Sequence, residues 1–262
     1  MARSPAEPAP PALFSLVGEP VRWSLLQHLA SSDRRVAELV TLTGRPQNLV
    51  SYHLAELRRA GLVSGRRSAA DGRDTYYRVH LARFDDLLGG AAAALDGSLA
   101  IGRRTYEPPS PAARRPRVLY LCTGNSARSQ VAEALTIHRS AGAVDARSAG
   151  SHPKPLHPNA VRALAERGID ISGVRSKHLD TVRRARFDRV VTLCDKVREV
   201  CPDLPGPPRA AHWSMADPAA SAPDADASYP AFVAAVEDID ERVQRLLFDL
   251  ARSPQEEPHA HR

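Results

Sequence analysis

The stretch Val118-Leu119-Tyr120-Leu121-Cys122-Thr123-Gly124-Asn125-Ser126-Ala127-Arg128-Ser129 constrains this chain more than any other. Its opening apolar run reads as a strand buried on both faces, as in parallel sheets covered by helices. A helical pattern follows at 130–140. Five residues separate Cys122 from Arg128, enough chain to wrap backbone N–H groups around one tetrahedral oxyanion. Loop amides and the helix N-terminus supply positive potential there. Arg128 can grip two oxygens at once, and the same field favours a thiolate nucleophile at Cys122. Ser129 can donate a hydrogen bond to that sulfur, while Gly124 and Asn125 tolerate the left-handed backbone such a loop needs. The expected oxyanion cradle is thus Thr123, Gly124, Asn125, Ser126, Ala127 and Arg128. A bare Cys-x5-Arg arises often by chance; its place directly after an apolar strand argues against an inert buried cysteine.

From 117 to 250 the chain alternates short apolar runs with helical patterns. Strands are expected at 117–122, 144–149, 189–193 and 210–213, with a final helix over 229–250. Asp217-Pro218 falls in a polar loop after the last strand, where Asp217 can protonate a leaving oxygen; an Asp-Pro pair is also a common turn. The chain has three cysteines, Cys122, Cys194 and Cys201. So few, and an odd number, argue against a disulfide-stapled secreted scaffold. Cys194 closes the run Val191-Thr192-Leu193, and Cys201-Pro202 follows seven positions later. Two neighbouring thiolates alone do not make a zinc site, so no metal is expected.

The first hundred residues follow a different rule. Leu25, Leu26 and Leu29 share a face of a helix starting after Pro20. Val36, Leu39 and Val40 mark a second, and Thr43-Gly44-Arg45-Pro46 is a turn with Pro46 expected as first residue of a third. There Val50, Leu54 and Leu57 fall at helical spacing and should face the core. Gly61 ends it, and strands are expected at 62–67 and 75–79 around an Asp71-Gly72 turn. Helix, turn, helix, hairpin is the winged helix-turn-helix order. Its solvent face offers Gln47, Asn48, Ser51 and Tyr52 for base edges, and the hairpin offers Arg66, Arg67 and Arg73 for phosphates. A merely solvated face is the plain alternative; the order of elements favours DNA.

Length, 262 residues, suffices for two domains. The boundaries expected are a tail at 1–11, a winged-helix domain at 12–100, a Pro/Arg-rich linker at 101–116, an α/β domain at 117–252 and a tail at 253–262. A net charge of +6 is compatible with nucleic acid or oxyanion partners and proves neither. There is no apolar run long enough to span a membrane and no signal core, so a cytoplasmic location is expected.

Residues 39–79, with Val50-Ser51-Tyr52-His53-Leu54, Leu57-Arg58-Arg59-Ala60-Gly61-Leu62-Val63 and Tyr76-Tyr77-Arg78-Val79, resemble the ArsR family of arsenical-resistance repressors. That resemblance implies a homodimer formed through terminal helices at about 13–29 and 81–96, bound to a near-palindromic operator. Arsenite-sensing members use cysteines inside this domain, and here there are none. His80, Asp85 and Asp86 are the nearby candidates for a metal, with unconvincing spacing. The second half resembles the low-molecular-weight protein tyrosine phosphatase superfamily, through Cys122–Ser129, Asp217, Ser148-Ala149-Gly150, His157-Pro158-Asn159 and Arg175-Ser176-Lys177-His178-Leu179. A four-stranded parallel sheet flanked by helices is implied.

Within that superfamily the cysteines look like those of thioredoxin-coupled arsenate reductases. The resemblance implies a relay. Cys122 attacks arsenate, Cys194 attacks Cys122 and releases arsenite, and Cys201 attacks Cys194 to leave a disulfide for thioredoxin. Phosphate or sulfate would bind as analogues. Gln130 stands where the tyrosine phosphatases usually carry proline, and Ala219 where many carry a stacking ring. Ala127 replaces a frequent second loop cysteine. Asn125, Glu133 and Ser148 match part of a potassium site, where Lys177 would put a positive charge instead; no tightly bound cofactor is expected. Two other readings stand beside this one: a tyrosine phosphatase fused to a regulator, and a transcription factor whose second half binds an oxyanion effector.

Overall fold

The computed structural model describes residues 11–97, 99, 114–200, 210–222 and 224–252. The chain divides into two compact units at Arg104–Thr105, each taken by itself below.

In the first unit, α1 (Ala12–Val17), α2 (Pro20–Ser31), β1 (Arg34–Arg35), α3 (Val36–Thr43), α4 (Gln47–Arg59), β2 (Val63–Arg67), β3 (Thr75–Val79) and α5 (Leu81–Leu95) follow in order. Glu19 caps α2 by accepting from the Arg22 N–H at 2.8 Å. Gly44 ends α3 in the left-handed conformation, φ 63°, which a side chain would resist. Pro46 is then the cap of α4 and not its first residue: its ψ is 145°, and its carbonyl accepts from the Val50 N–H at 3.1 Å. Leu25, Leu39, Val50, Leu54, Leu57 and Leu62 form the heart of the core. The three strands pair antiparallel in the order β1-β3-β2. β1 was not expected; two residues carry no readable alternation, and only pairing of Arg34 with Tyr77 and Arg35 with Tyr76 defines it.

In the second unit come β4 (Arg117–Cys122), α6 (Arg128–Arg139), β5 (Asp145–Gly150), α7 (Pro158–Ala165), β6 (Arg189–Thr192), α8 (Asp195–Val200), β7 (Ala210–His212) and α9 (Ala225–Arg252), with single 3-10 turns at Leu179–Thr181 and Pro218–Ala220. The sheet is β5-β4-β6-β7, and every neighbouring pair is parallel. Val118 to Cys122 are all buried, which explains the unbroken apolar run. The chain steps from β4 to β5 on one side and returns to β6 on the other, so the strand order reverses between β4 and β6, where ligands of open α/β sheets bind outside the carboxyl ends of the strands. α6 begins at Arg128, two residues before the pattern suggested, because the loop itself turns into its first turn. No helix among the described residues is long and apolar enough to cross a membrane.

Candidate functional site

Among the described residues, the candidate groups of the second unit lie in the segments that follow the carboxyl ends of the strands. Cys122 ends β4, and the next residues curl back over it. Asn125 has φ 45°, a left-handed residue that is not glycine, so something must hold it. Its side chain does. Asn125 Nδ2 donates to Ser129 Oγ at 2.9 Å and to Ser148 Oγ at 2.8 Å, while its Oδ1 accepts from Gln130 Nε2 at 3.1 Å and from the Lys177 N–H at 2.7 Å. Ser176 Oγ donates to the Asn125 carbonyl at 2.8 Å. Gly150 at the end of β5 permits this packing: a Cβ there would lie 2.6 Å from the Thr123 carbonyl oxygen and 2.8 Å from the Asn125 nitrogen.

The Cys122 sulfur accepts from the Asn125 N–H at 3.2 Å and lies 3.0 Å from Ser129 Oγ, as expected from the sequence. Arg128 is 9% exposed. Its NH1 donates to the Met215 carbonyl at 3.0 Å, and its NH2 lies 3.3 Å from Asp217 Oδ2. Asp217 is half exposed and also caps the turn Pro218–Ala220. Thus Cys122, Arg128, Ser129 and Asp217, separated by up to 95 positions in the chain, share one site. His157 caps α7, stacks on Phe232 at 4.3 Å, and its N–H donates to the Ser126 carbonyl at 2.9 Å. Burial pushes its imidazole below the ordinary value, while nearby Asp217 pulls the other way.

Cys194 follows the end of β6 and its carbonyl accepts from the Arg198 N–H at 3.3 Å, so it caps α8. Its sulfur lies 3.3 Å from Thr123 Oγ1. A second thiol therefore touches this loop directly, although it lies 72 positions from Cys122 in the chain. Cys201 lies outside the described residues. The expected partial cation site is filled from within the chain: Lys177 Nζ lies 2.9 Å and 3.2 Å from the two Glu133 carboxylate oxygens, and Ser148 Oγ donates to one of them. Sequence reading missed the Met215 carbonyl, because backbone acceptors carry no sequence signal; Ser176 and Gly150 were legible only as parts of a family pattern.

In the first unit Gln47, Asn48, Ser51 and Tyr52 are exposed along α4, with Tyr52 57% exposed. The hairpin carries Arg66, Arg67 and Arg73. Arg67 NH1 donates to the Gly72 carbonyl and Arg66 NH1 to the Arg67 carbonyl, both at 2.9 Å, so these guanidiniums also close their own hairpin. Arg73 is exposed, with Asp71 at 3.5 Å.

A loop that curls over a cysteine after the first strand of a parallel sheet, with an aspartate beside its arginine, is the arrangement that the sequence pattern pointed to. Residues 117–256 match the family model for low molecular weight phosphotyrosine protein phosphatase, and the chain belongs to that family. Residues 19–64 match the family model for bacterial regulatory proteins of the arsR family. An arsenate reductase of Brevibacillus brevis is 38% identical over 129 residues, covering 49% of this chain and 92% of its own length. One from Shouchella clausii is 37% identical over 131 residues, 49% and 93% of the two chains. Among solved structures, a thioredoxin-dependent arsenate reductase of Corynebacterium glutamicum is 26% identical, covering 87% of this chain and 96% of its own, with a TM-score of 0.42.

Proposed function

We propose that this chain is an arsenate reductase joined to a DNA-binding regulator of arsenic resistance, with domains at 12–100 and 117–252 and a linker at 101–116. The contact of Cys194 with Thr123 carries the enzyme reading: hydrolysis needs one thiol, reduction needs a second within reach of the first. The arsenate reductases that match this half support it.

Cys122 attacks arsenic, an As–O bond breaks, and Asp217 protonates the departing oxygen. Loop amides and Arg128 carry the charge of the adduct. Cys194 then attacks the Cys122 sulfur; the S–As bond breaks, its electron pair stays on arsenic, and arsenite leaves. Thr123 Oγ1 is placed to hydrogen-bond the attacking sulfur. Cys201 attacks Cys194 and frees Cys122. A helical separation of seven residues would span about 10 Å, beyond disulfide reach, so the segment between the two cysteines is expected to unwind in this step. Thioredoxin is the proposed reductant, and the cytoplasm the proposed location. Arsenate-dependent NADPH oxidation with thioredoxin and thioredoxin reductase tests the whole reading; no oxidation by the wild-type chain would end it.

Lys177 supplies the positive charge beside Glu133 and Ser148. At fixed ionic strength, exchanging sodium for potassium is therefore expected to leave kcat/KM unchanged in wild type, and Lys177→Ala to create a potassium dependence. A potassium response in wild type would contradict this placement.

For the first unit, the proposal is a homodimer that binds operator DNA through α4. Phe14 of α1, 48% exposed, and Leu95 of α5, 83% exposed, offer apolar surface for pairing. With an operator selected from a random-sequence pool, Gln47→Ala is expected to lose about 1–3 kcal/mol of specific affinity by anisotropy titration, leaving non-specific binding unchanged. An equal loss on both DNAs would place Gln47 away from the bases.

A further inference from the structure

The chemistry above leaves a fully buried ionisable pair unused. Asp195 and His212 are both fully buried, at 0% exposed. His212 closes β7, and its Nε2 lies 3.1 Å from Asp195 Oδ1. Ser214 Oγ donates to the same oxygen at 2.8 Å. On the other edge of the ring, Nδ1 lies 2.8 Å from Thr192 Oγ1 and 3.1 Å from the Thr192 carbonyl. Opposite an ionised Asp195, which can only accept, Nε2 would be the donor.

The placement of these partners in the chain is the informative part. Thr192 stands two residues before Cys194, and Asp195 one residue after it. Both are tied to the end of β7, and the segment between them carries only Leu193, which is fully buried, and Cys194. A buried carboxylate is expensive unless fully partnered, and a core position here could have been filled with an apolar side chain. The cluster clamps both flanks of the thiol that must meet Cys122.

We propose that Asp195, His212 and Ser214 are positioning residues for Cys194, fixing its backbone so that its sulfur stays against Thr123 and within reach of Cys122. This rests on the arsenate reductase reading. The step served is the second: the Cys194–Cys122 S–S bond forms, the Cys122–As bond breaks, and arsenic takes the electron pair. Disulfide formation tolerates little error in Cα separation or in the direction of the two side chains, and a misplacement on the order of 1 Å can cost about a hundredfold in rate. Hydrolysis of a phosphate ester by Cys122, Arg128 and Asp217 makes no such demand on Cys194.

The full-length chain separates the two demands. Single-turnover arsenite release and Cys122–Cys194 disulfide formation would be followed beside p-nitrophenyl phosphate hydrolysis, for wild type, His212→Ala, His212→Gln and Ser214→Ala. The expected result is disulfide formation slowed at least about tenfold in His212→Ala, with ester hydrolysis held within about threefold. His212→Gln, which can still present a donor to Asp195, recovers part of the loss. Ser214→Ala removes one hydrogen bond and serves where His212→Ala does not fold; it shows the same split to a smaller degree. Ester hydrolysis and disulfide formation falling together would reduce the cluster to a structural role and overturn the proposal, as would unchanged disulfide formation in both the His212→Ala and Ser214→Ala proteins. Wild type that hydrolyses the ester and releases no arsenite would instead remove the reductase reading, and this inference with it.

Discussion

Cys194→Ser protein is expected to turn over no arsenate in the thioredoxin-coupled assay while still hydrolysing p-nitrophenyl phosphate. The serine oxygen keeps a hydrogen-bonding group near Thr123 but forms no S–S bond, so the arsenic adduct on Cys122 cannot be discharged by the relay. Cys122→Ser is expected to remove both activities, since Cys122 is the proposed nucleophile of each. Cys201→Ser should permit one turnover and then stop, with Cys122 and Cys194 joined. The pattern across the three variants is measured by NADPH oxidation and by mass analysis of the trapped disulfide. Arsenate turnover that survives Cys194→Ser would dissolve the relay.

Arg128→Ala should lower kcat/KM for both arsenate reduction and ester hydrolysis by about a hundredfold to a thousandfold, the range for loss of one well-placed donor to a developing oxyanion, roughly 2.7–4 kcal/mol. Two effects reinforce each other. The guanidinium leaves the oxyanion without its bidentate partner, and the Met215 carbonyl and Asp217 carboxylate lose a donor that ties them to the cradle. Arg128→Lys restores charge without the planar fork and should recover little. A loss confined to KM, with kcat intact, would mean that the arginine binds ground state and transition state alike.

Much of this molecule was legible before its structure. The cradle could be read because its parts are contiguous: an apolar run, a loop of fixed length and a helix, each governed by local rules. The same holds for α4, whose buried Val50, Leu54 and Leu57 repeat at helical spacing. What escaped reading was set by tertiary pairing. β1 exists only because β3 lies beside it. Pro46 was placed one position too far into α4, because proline suits both the cap and the first turn. That Arg66 and Arg67 also bind carbonyls of their own hairpin had no signal in the sequence. The Asp195–His212–Ser214 cluster joins residues up to 19 positions apart, and no local pattern announces a hydrogen bond between two strand ends.

Asn125 holds a left-handed backbone through four side-chain hydrogen bonds. A cradle built this way has its shape before any anion arrives, so little ordering is left to be done on binding. The proposed cradle would then measure charge and tetrahedral geometry, and phosphate and arsenate share both. Selectivity in the proposed enzyme then lies downstream of capture, in the electron-accepting capacity of arsenic(V), which phosphorus(V) lacks toward thiols. Cellular phosphate should accordingly act as a competitor for the cradle that no reshaping of the loop's donors alone would exclude.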